Sequence, residues 1–345
     1  MTVGEDLNSL SHPWVTIAVC TMGGTIQCQR QDDGSALPTL SVQEMLASGT
    51  VVPLNVQTRL QEICRLSSAA MGWRDLISLV HEAEKHVDAG AVGVVVTLGT
   101  DMLEECAFAL DLMWARAEPL VVTAAMRSPE VPGSDGPANL RAAILVASNI
   151  RARTLGCVVV LNDEIHAAWQ ITKSMTANPA AFRSRLSGPI GTVIEDRVRV
   201  ISTPMQRPHI SAPLNSALPP VALVKVTLDD DGRVLDLLLG AGYVGAVIEV
   251  AGGGSVPPAW AVRLRSLTAQ IPVVFASRVG EGPTLLGTYG GVGAERDLLD
   301  AGLLPAGMLD GLKARILLQL MLSQKFEMEQ IGSVFKAFDE PIYSQ

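Results

Sequence analysis

Four segments of the sequence combine hydroxyl, carboxylate or amine side chains with glycines. They are, in chain order, Met22-Gly23-Gly24-Thr25-Ile26, Leu98-Gly99-Thr100-Asp101, Ala125–Leu140, and Asn162-Asp163-Glu164 continuing to Lys173. A hydroxyl becomes a useful nucleophile when a base takes its proton, and a lysine amine is such a base where burial favours its neutral form. The residue types therefore fit nucleophilic attack with proton transfer.

Each segment also has a plainer interpretation. Two glycines beside Thr25 are common in an ordinary turn, although a hydroxyl there would sit at the mouth of a ligand crevice. Thr100 could relay a proton and Asp101 could hold a substrate ammonium, or either could cap the following helix. Lys173 follows a strand, where most lysines are solvated. Neither phosphate-loop nor dinucleotide glycine patterns occur.

The elements that must position these residues alternate between short β-branched runs and longer amphipathic stretches. This pattern predicts an α/β fold built from βαβ units around a parallel sheet. The predicted strands are Val15–Cys20, Gly93–Thr97, Leu120–Thr123, Gly156–Leu161, Val221–Val226, Ala246–Val250 and Val273–Ala276. The predicted helices are Ser41–Leu46, Trp73–Val87, Leu103–Ala115, Asn139–Asn149 and Leu312–Ser323. Ligands bind at the carboxyl ends of such strands, where the motifs lie.

A proline-rich segment divides the chain. Five prolines fall between Pro204 and Pro220 without periodicity, and the α/β pattern restarts after them. We therefore predict a larger N-terminal α/β domain at 1–205 that carries the nucleophile and most of the site. A linker at 206–220 and a smaller C-terminal α/β domain at 221–345 follow it.

Composition excludes several classes of protein. A net charge of -9 disfavours nucleic acid and anionic membranes as partners, and no apolar run approaches the length of a membrane span. Five scattered cysteines without a CxxC pair indicate free thiols, and residues 1–13 do not resemble a signal peptide, so we expect a cytoplasmic protein. Isolated histidines predict no metal site, and we expect no cofactor.

Taken together and in order, the motifs resemble those of the bacterial asparaginase/glutaminase family. That pattern has TGGTI after a strand, HGTDT-x-EE, GAMRP with SADGPxNL, and ND followed by a TKxxT lysine. The matching stretches here are Met22–Ile26, Gly99–Glu105, Ala125–Leu140, Asn162–Thr176, Ala251–Gly254, Ser277–Val279 and Lys313–Leu317. The resemblance covers nearly the whole chain.

The resemblance implies a role for each matching residue. Thr25 matches the nucleophile, and Thr100, Asp101 and Lys173 match the residues that complete the catalytic site. Ser68 matches the serine that holds the substrate α-carboxylate, and Ala125 falls where a backbone carbonyl faces the leaving amide. Ser255 falls where a neighbouring subunit approaches the substrate, in a homotetramer or dimer. We also expect backbone N–H groups around Gly99 and Thr100 to stabilise the oxyanion.

The sequence departs from the family pattern at five places. Leu98, Met102 and Met22 replace a histidine, a threonine and a small or hydroxyl residue. Ala70 stands where a small polar or acidic residue is common, and the loop Gln27–Leu40 lacks the usual tyrosine. The resemblance implies hydrolysis of the side-chain amide of a small amino acid such as asparagine, through an acyl-threonine intermediate. The departures leave two alternatives: an enzyme for another small amide or a lactam, and a catalytically weak amino-acid-binding or sensor protein.

Overall fold

The computed structural model describes residues 14–47, 51–153, 155–204, 207–213 and 217–339. Its strands are β1 (Val15–Gly23), β2 (Cys28–Arg30), β3 (Ala36–Pro38), β4 (Val56–Leu66), β5 (Gly93–Thr97), β6 (Leu120–Thr123), β7 (Cys157–Leu161), β8 (Glu164–Ala167), β9 (Ile171–Lys173), β10 (Phe182–Ser184), β11 (Gly191–Ile194), β12 (Arg197–Val200), β13 (Val221–Lys225), β14 (Gly245–Val250), β15 (Val273–Ser277) and β16 (Leu304–Pro305). Its helices are α1 (Val42–Leu46), α2 (Trp73–Asp88), α3 (Leu103–Met113), α4 (Gly136–Ser148), α5 (Leu235–Leu238), α6 (Pro258–Thr268), α7 (Glu295–Asp300), α8 (Gly311–Ser323) and α9 (Met328–Lys336).

The first sheet has eight strands in the order β12-β11-β8-β7-β6-β5-β1-β4. Its half from β4 to β7 is parallel, and β8, β11 and β12 extend it antiparallel. Strands β5, β6 and β7 are buried along their whole length, because helices cover both faces of a parallel sheet. The predicted parallel α/β domain is therefore confirmed.

The second sheet is smaller and fully parallel, in the order β13-β14-β15-β16. Helix α8 packs against β13, β14 and β15 and also contacts α3 of the first domain. Its residues Leu317, Leu320 and Met321 belong to the same hydrophobic core as the central strands of the first sheet. The two domains therefore share a continuous core along α8, and the predicted smaller second domain is confirmed.

The predicted helices and strands lie where the structure has them, but several of their first and last residues differ. The helix predicted to begin at Asn139 begins at Gly136, because Pro137 suits the first helical turn, and the helix predicted to end at Ala115 ends at Met113. Strand β4 was not predicted. Residues 207–213 and 217–219 form neither helix nor strand, and they lie between β12 and β13 where the linker was expected.

Candidate active site

The Thr25 segment is a glycine turn pressed against the Thr100 segment. Gly23 and Gly24 have φ of 100° and 84°, which favours glycine, and β1 ends there. A Cβ on Gly24 would lie 2.4 Å from the Cα and N of Gly99, so no other residue fits. Thr25 opens a short 3₁₀ turn, and its hydroxyl has no hydrogen-bond partner in the described part of the chain.

Lys173 points into the site from the end of β9. Its Nζ donates hydrogen bonds to Thr100 Oγ1 at 3.0 Å and to Asp101 Oδ1 at 2.7 Å. The Lys173 side chain is only 15% exposed, whereas that of Asp101 is 66% exposed. The alternative that Lys173 is a solvated lysine is therefore wrong, and Asp101 keeps a face open to a ligand.

Ser68 holds the two residues that precede α3. Its Oγ accepts hydrogen bonds from the backbone N–H groups of Asp101 at 3.1 Å and Met102 at 3.2 Å. The alternative that Thr100 or Asp101 caps this helix is wrong, because both of their side chains bond to Lys173 instead. Ser68 uses its oxygen as an acceptor, so its own proton remains available to a carboxylate.

Two backbone donors beside Thr100 remain unused. The N–H groups of Gly99 and Thr100 donate to no acceptor in the described residues, and both residues are buried. Gly99 is also confined, because a Cβ there would lie 2.8 Å from Ser68 Oγ. Free N–H groups fixed in a buried loop are the kind of donor that stabilises a developing oxyanion.

The Ala125 segment is held by the turn that starts α4. Asp135 accepts hydrogen bonds from the backbone N–H groups of Met126 and Arg127, each at 2.9 Å, and Asn139 Nδ2 donates to the carbonyl of Ala124 at 3.0 Å. Sequence reasoning assigned no role to Asp135 or Asn139. The signal in the sequence was their position on either side of Gly136 and Pro137, a pair typical of the start of a helix.

Gly136 joins the Ala125 segment to the Thr25 segment. A Cβ on Gly136 would lie 3.1 Å from Ile26 Cγ1 and 3.4 Å from Ala125 Cβ. Ala125 itself is fully buried. The missing side chain therefore lets two of the predicted motifs pack closely on the start of α4.

Two open cavities flank this cluster. One of about 290 Å³ is lined by Asp101, Lys173, Ser174, Met175 and Thr176. The other, of about 300 Å³, lies between the Ser68 loop and α8, and its lining includes Ser68, Met102 and Arg315. Both volumes suit a ligand the size of an amino acid.

The leucine and the two methionines that depart from the family pattern lie either in the hydrophobic core or beside the two cavities. Leu98 and Met22 are fully buried in the hydrophobic core, so they do not line the site. Met102 is 38% exposed and Met175 is 51% exposed beside the two cavities. The loop Gln27–Leu40 folds back as the β2–β3 hairpin, closed by a hydrogen bond from Gln27 Nε2 to the Leu40 carbonyl.

Ser255 stands apart from this cluster. It is exposed in the second domain and bridges to Ala251, and no hydrogen bond joins it to the site residues of its own chain. Over the described ranges, no group of His, Cys, Asp or Glu side chains could hold a metal ion. No described helix has the length and apolar character needed to cross a membrane.

Comparison with known proteins places the chain in a family. The family model described as "Asparaginase, N-terminal" matches residues 16–206, and the one described as "Glutaminase/Asparaginase C-terminal domain" matches residues 220–335. The chain therefore belongs to the bacterial asparaginase/glutaminase family and is an asparaginase-like amidohydrolase.

Relatives and a solved structure agree with that placement. An L-asparaginase of Bacillus licheniformis is 31% identical over 89% of this chain and 95% of its own length. A probable periplasmic L-asparaginase of Haemophilus influenzae is 30% identical over 93% of each chain. The crystal structure of a probable cytoplasmic L-asparaginase from Campylobacter jejuni superposes with a TM-score of 0.84 at 26% identity, over 93% of this chain and 99% of that one.

Proposed function

We propose that this protein hydrolyses the side-chain amide of asparagine, or of a closely similar amino acid, to the acid and ammonia through an acyl-threonine intermediate on Thr25. The observation that carries the proposal is the contact of Lys173 Nζ with Thr100 Oγ1 at 3.0 Å. This contact joins the Lys173 amine to the Thr100 hydroxyl, and the loop that carries Thr100 packs against the turn that carries Thr25. Binding alone would need neither group.

Two handles select an α-amino acid in this proposal. The exposed Asp101 carboxylate can accept the substrate ammonium with one oxygen while the other stays on Lys173. The Ser68 proton binds the substrate α-carboxylate. A ligand lacking either group leaves a polar group of the site unpaired, which discriminates strongly between substrates.

The reaction then runs in two steps. Thr25 Oγ attacks the amide carbon while Lys173, through Thr100, takes the hydroxyl proton, and the N–H groups of Gly99 and Thr100 bind the oxyanion. The proton passes to the leaving nitrogen, which departs as ammonia past the Ala125 carbonyl. Water then hydrolyses the threonine ester by the reverse proton path, releasing the acid.

Ammonia release from asparagine, glutamine and their D-isomers, together with ring opening of a small lactam followed by chromatography, tests this proposal. We expect release from asparagine, and a loss of roughly 10⁴-fold or more in Thr25→Ala, because a removed nucleophile leaves only binding and the oxyanion donors. Mass spectrometry of the wild type during turnover should show an acyl adduct that is absent in Thr25→Ala. Ligand binding without ammonia release from any amide and without ring opening of the lactam would instead support the sensor alternative.

One observation favours the second candidate, an enzyme for another small amide or a lactam. Met102 and Met175 give the rims of both cavities exposed apolar surface. Flexible thioether side chains adapt to varied apolar ligands. In the same substrate panel, a higher kcat/KM for a lactam than for asparagine would identify this candidate.

We further propose a homo-oligomer, a tetramer or a dimer, in which Ser255 reaches a neighbouring site, and a cytoplasmic location. The isolation of Ser255 from its own site supports the first point, and the five free cysteines support the second. The names of the relatives include both a periplasmic and a cytoplasmic protein. Sedimentation of the 36.5-kDa chain and cell fractionation test the two proposals.

The linker at 206–220 remains a proposal as well. The gap between the two family matches, and the absence of helix or strand in the described parts of this segment, support it. Limited proteolysis should cut first in this segment and leave two fragments associated, because they share the core along α8. Cleavage elsewhere would move the boundary.

A further inference from the structure

A fully buried lysine of the second domain lies directly behind the active site. Lys313, in the first turn of α8, has no exposed surface. Its Nζ donates to the carbonyl of Ile171 at 2.9 Å and to Asp310 Oδ2 at 2.9 Å, and lies 3.5 Å from Glu104 Oε2. A buried ammonium thus meets three oxygens from three separate segments.

Two of those segments carry the residues of the proposed proton path. Ile171 is the first residue of β9, and Lys173 is its last. Glu104 lies in the first turn of α3, three residues after Asp101 and four after Thr100. Lys313 therefore contacts, from behind, both segments whose side chains meet in the Lys173–Thr100 hydrogen bond.

The third segment ties down the partner strand. Asp310 pairs with Arg185, which directly follows β10. Burial alone would raise the pKa of Asp310, but Lys313 and Arg185 outweigh it and hold that pKa below its usual value. Both strands of the β9–β10 ribbon are thus fastened to the same turn of the second domain.

The ribbon needs such fastening. Strands β9 and β10 have three residues each and form a sheet of their own, separate from the eight-stranded sheet. An isolated two-stranded ribbon is marginal in stability, so outside contacts must fix its position. A buried charge is also costly, and an apolar side chain of similar volume is often at least as stabilising. A methionine in place of Lys313 would fill a similar volume, but it could not donate a hydrogen bond to the carbonyl of Ile171.

We propose that Lys313 is a positioning residue for catalysis, whose ammonium fixes β9 against α3 and so sets the contact between Lys173 and Thr100. This inference rests on the proposed function. Lys313 lines neither of the two cavities described above, and its Nζ does not bond to Lys173. It therefore acts through the backbone of Ile171 and the carboxylate of Glu104.

The test is the double variant Lys313→Met/Glu104→Gln, compared with wild type. The second change removes the carboxylate that the first would leave uncompensated, so that the chain folds while Ile171 still lacks its donor. We expect kcat for asparagine to fall by at least about tenfold with KM nearly unchanged, because a slightly misplaced proton acceptor slows chemistry more than binding. Leu264→Ala, a buried leucine of α6 in the second-domain core, is the control for lost stability and should keep the wild-type kcat.

A second measurement does not depend on turnover. Hydrogen–deuterium exchange of residues 171–174 should be faster in the double variant than in wild type or Leu264→Ala. Wild-type kcat together with wild-type exchange in the double variant would overturn the inference and leave Lys313 as a domain fastener only. An inactive wild type with faster exchange in the variant would contradict the proposed function while the positioning of β9 stands.

Discussion

At the scale of single residues, the sequence predicted which side chains lie close together better than it predicted their hydrogen bonds. Thr100, Asp101 and Lys173 do converge, and Thr25 lies in a turn that touches their loop. The two hydrogen bonds that Ser68 accepts were not predicted, because the pairing of a serine with N–H groups 33 and 34 residues later depends on how two loops meet. Local propensity carries no information about such a contact.

Ser68 is expected to serve both stability and binding. In Ser68→Ala the N–H groups of Asp101 and Met102 lose their acceptor, which should lower the free energy of unfolding by about 1 kcal/mol, the typical net contribution of an intramolecular hydrogen bond. The variant should also raise KM for asparagine with a smaller effect on kcat, since the α-carboxylate loses a donor. Denaturant unfolding and steady-state kinetics measure the two effects, and an unchanged KM would remove Ser68 from the binding site.

Gly99 is expected to tolerate no side chain. The Cβ of Gly99→Ala would lie 2.8 Å from Ser68 Oγ, so the loop that carries Thr100 must shift. We expect kcat/KM to fall by about 10²-fold, the usual cost of a displacement near 1 Å at a reacting group. Gly240→Ala is the matched control, because its Cβ would meet only the Leu237 carbonyl at 3.7 Å. Equal activities of the two variants would mean that the loop is not constrained as described.

At the scale of elements, burial decided which parts of the fold could be predicted. Strands β5 and β6 match their predicted bounds because each is an uninterrupted run of buried, mostly β-branched residues. Strand β4 escaped prediction because it is an edge strand whose side chains are mostly half-buried or exposed, so Gln57, Arg59 and Gln61 interrupt its apolar pattern. The ribbon carrying Lys173 is too short for any periodicity.

A buried histidine beside this ribbon predicts an acid-sensitive stability. Burial lowers the pKa of His166 to about 4, and its Nδ1 lies 2.9 Å from Ser184 Oγ at the end of β10. Glu164 lies 3.3 Å from Nε2, but it is substantially exposed and does not offset the burial. His166 is neutral in the folded protein at pH values where the unfolded chain already protonates it.

The sign of the effect follows from that difference. The contribution of His166 is complete above the ordinary histidine value of 6.5 and is lost as pH falls toward about 4, by roughly 3 kcal/mol in total. We expect His166→Asn to flatten the fall of unfolding free energy between pH 6.5 and 4, measured by denaturant titration at each pH. The same slope in both proteins would show that His166 does not titrate in this range.

At the scale of the whole molecule, two domains meet along α8, and we propose that a neighbouring chain completes the site. Lys313 and Asp310 of the second domain fix the ribbon of the first, whereas Ser255 of the same domain lies apart from the site. The proline-rich segment predicted two domains from sequence. Their shared core could not be predicted, because the apolar face of α8 does not reveal which sheet it covers.

Mixed oligomers test whether Ser255 serves a neighbouring chain. Thr25→Ala lacks the proposed nucleophile, and Ser255→Trp should block the neighbouring site with a bulky side chain, so each variant alone should be nearly inactive. When the two are co-expressed, sites that combine an intact Thr25 from one chain with an intact Ser255 from the other should restore part of the ammonia release. If Ser255 acted only within its own chain, no such sites would form and activity would stay at the level of the separate variants.

The contact between Gly24 and Gly99 has a consequence for engineering. Because backbone packs against backbone here, the turn that carries Thr25 and the loop that carries Thr100 form one rigid unit. Neither glycine can be replaced by a residue with a side chain without separating the two segments. New substrate preferences must therefore be sought at the periphery, where Met102 and Met175 are exposed and can be exchanged without disturbing that unit. Libraries that randomise the two methionines and leave the glycines fixed should yield folded proteins with altered selectivity.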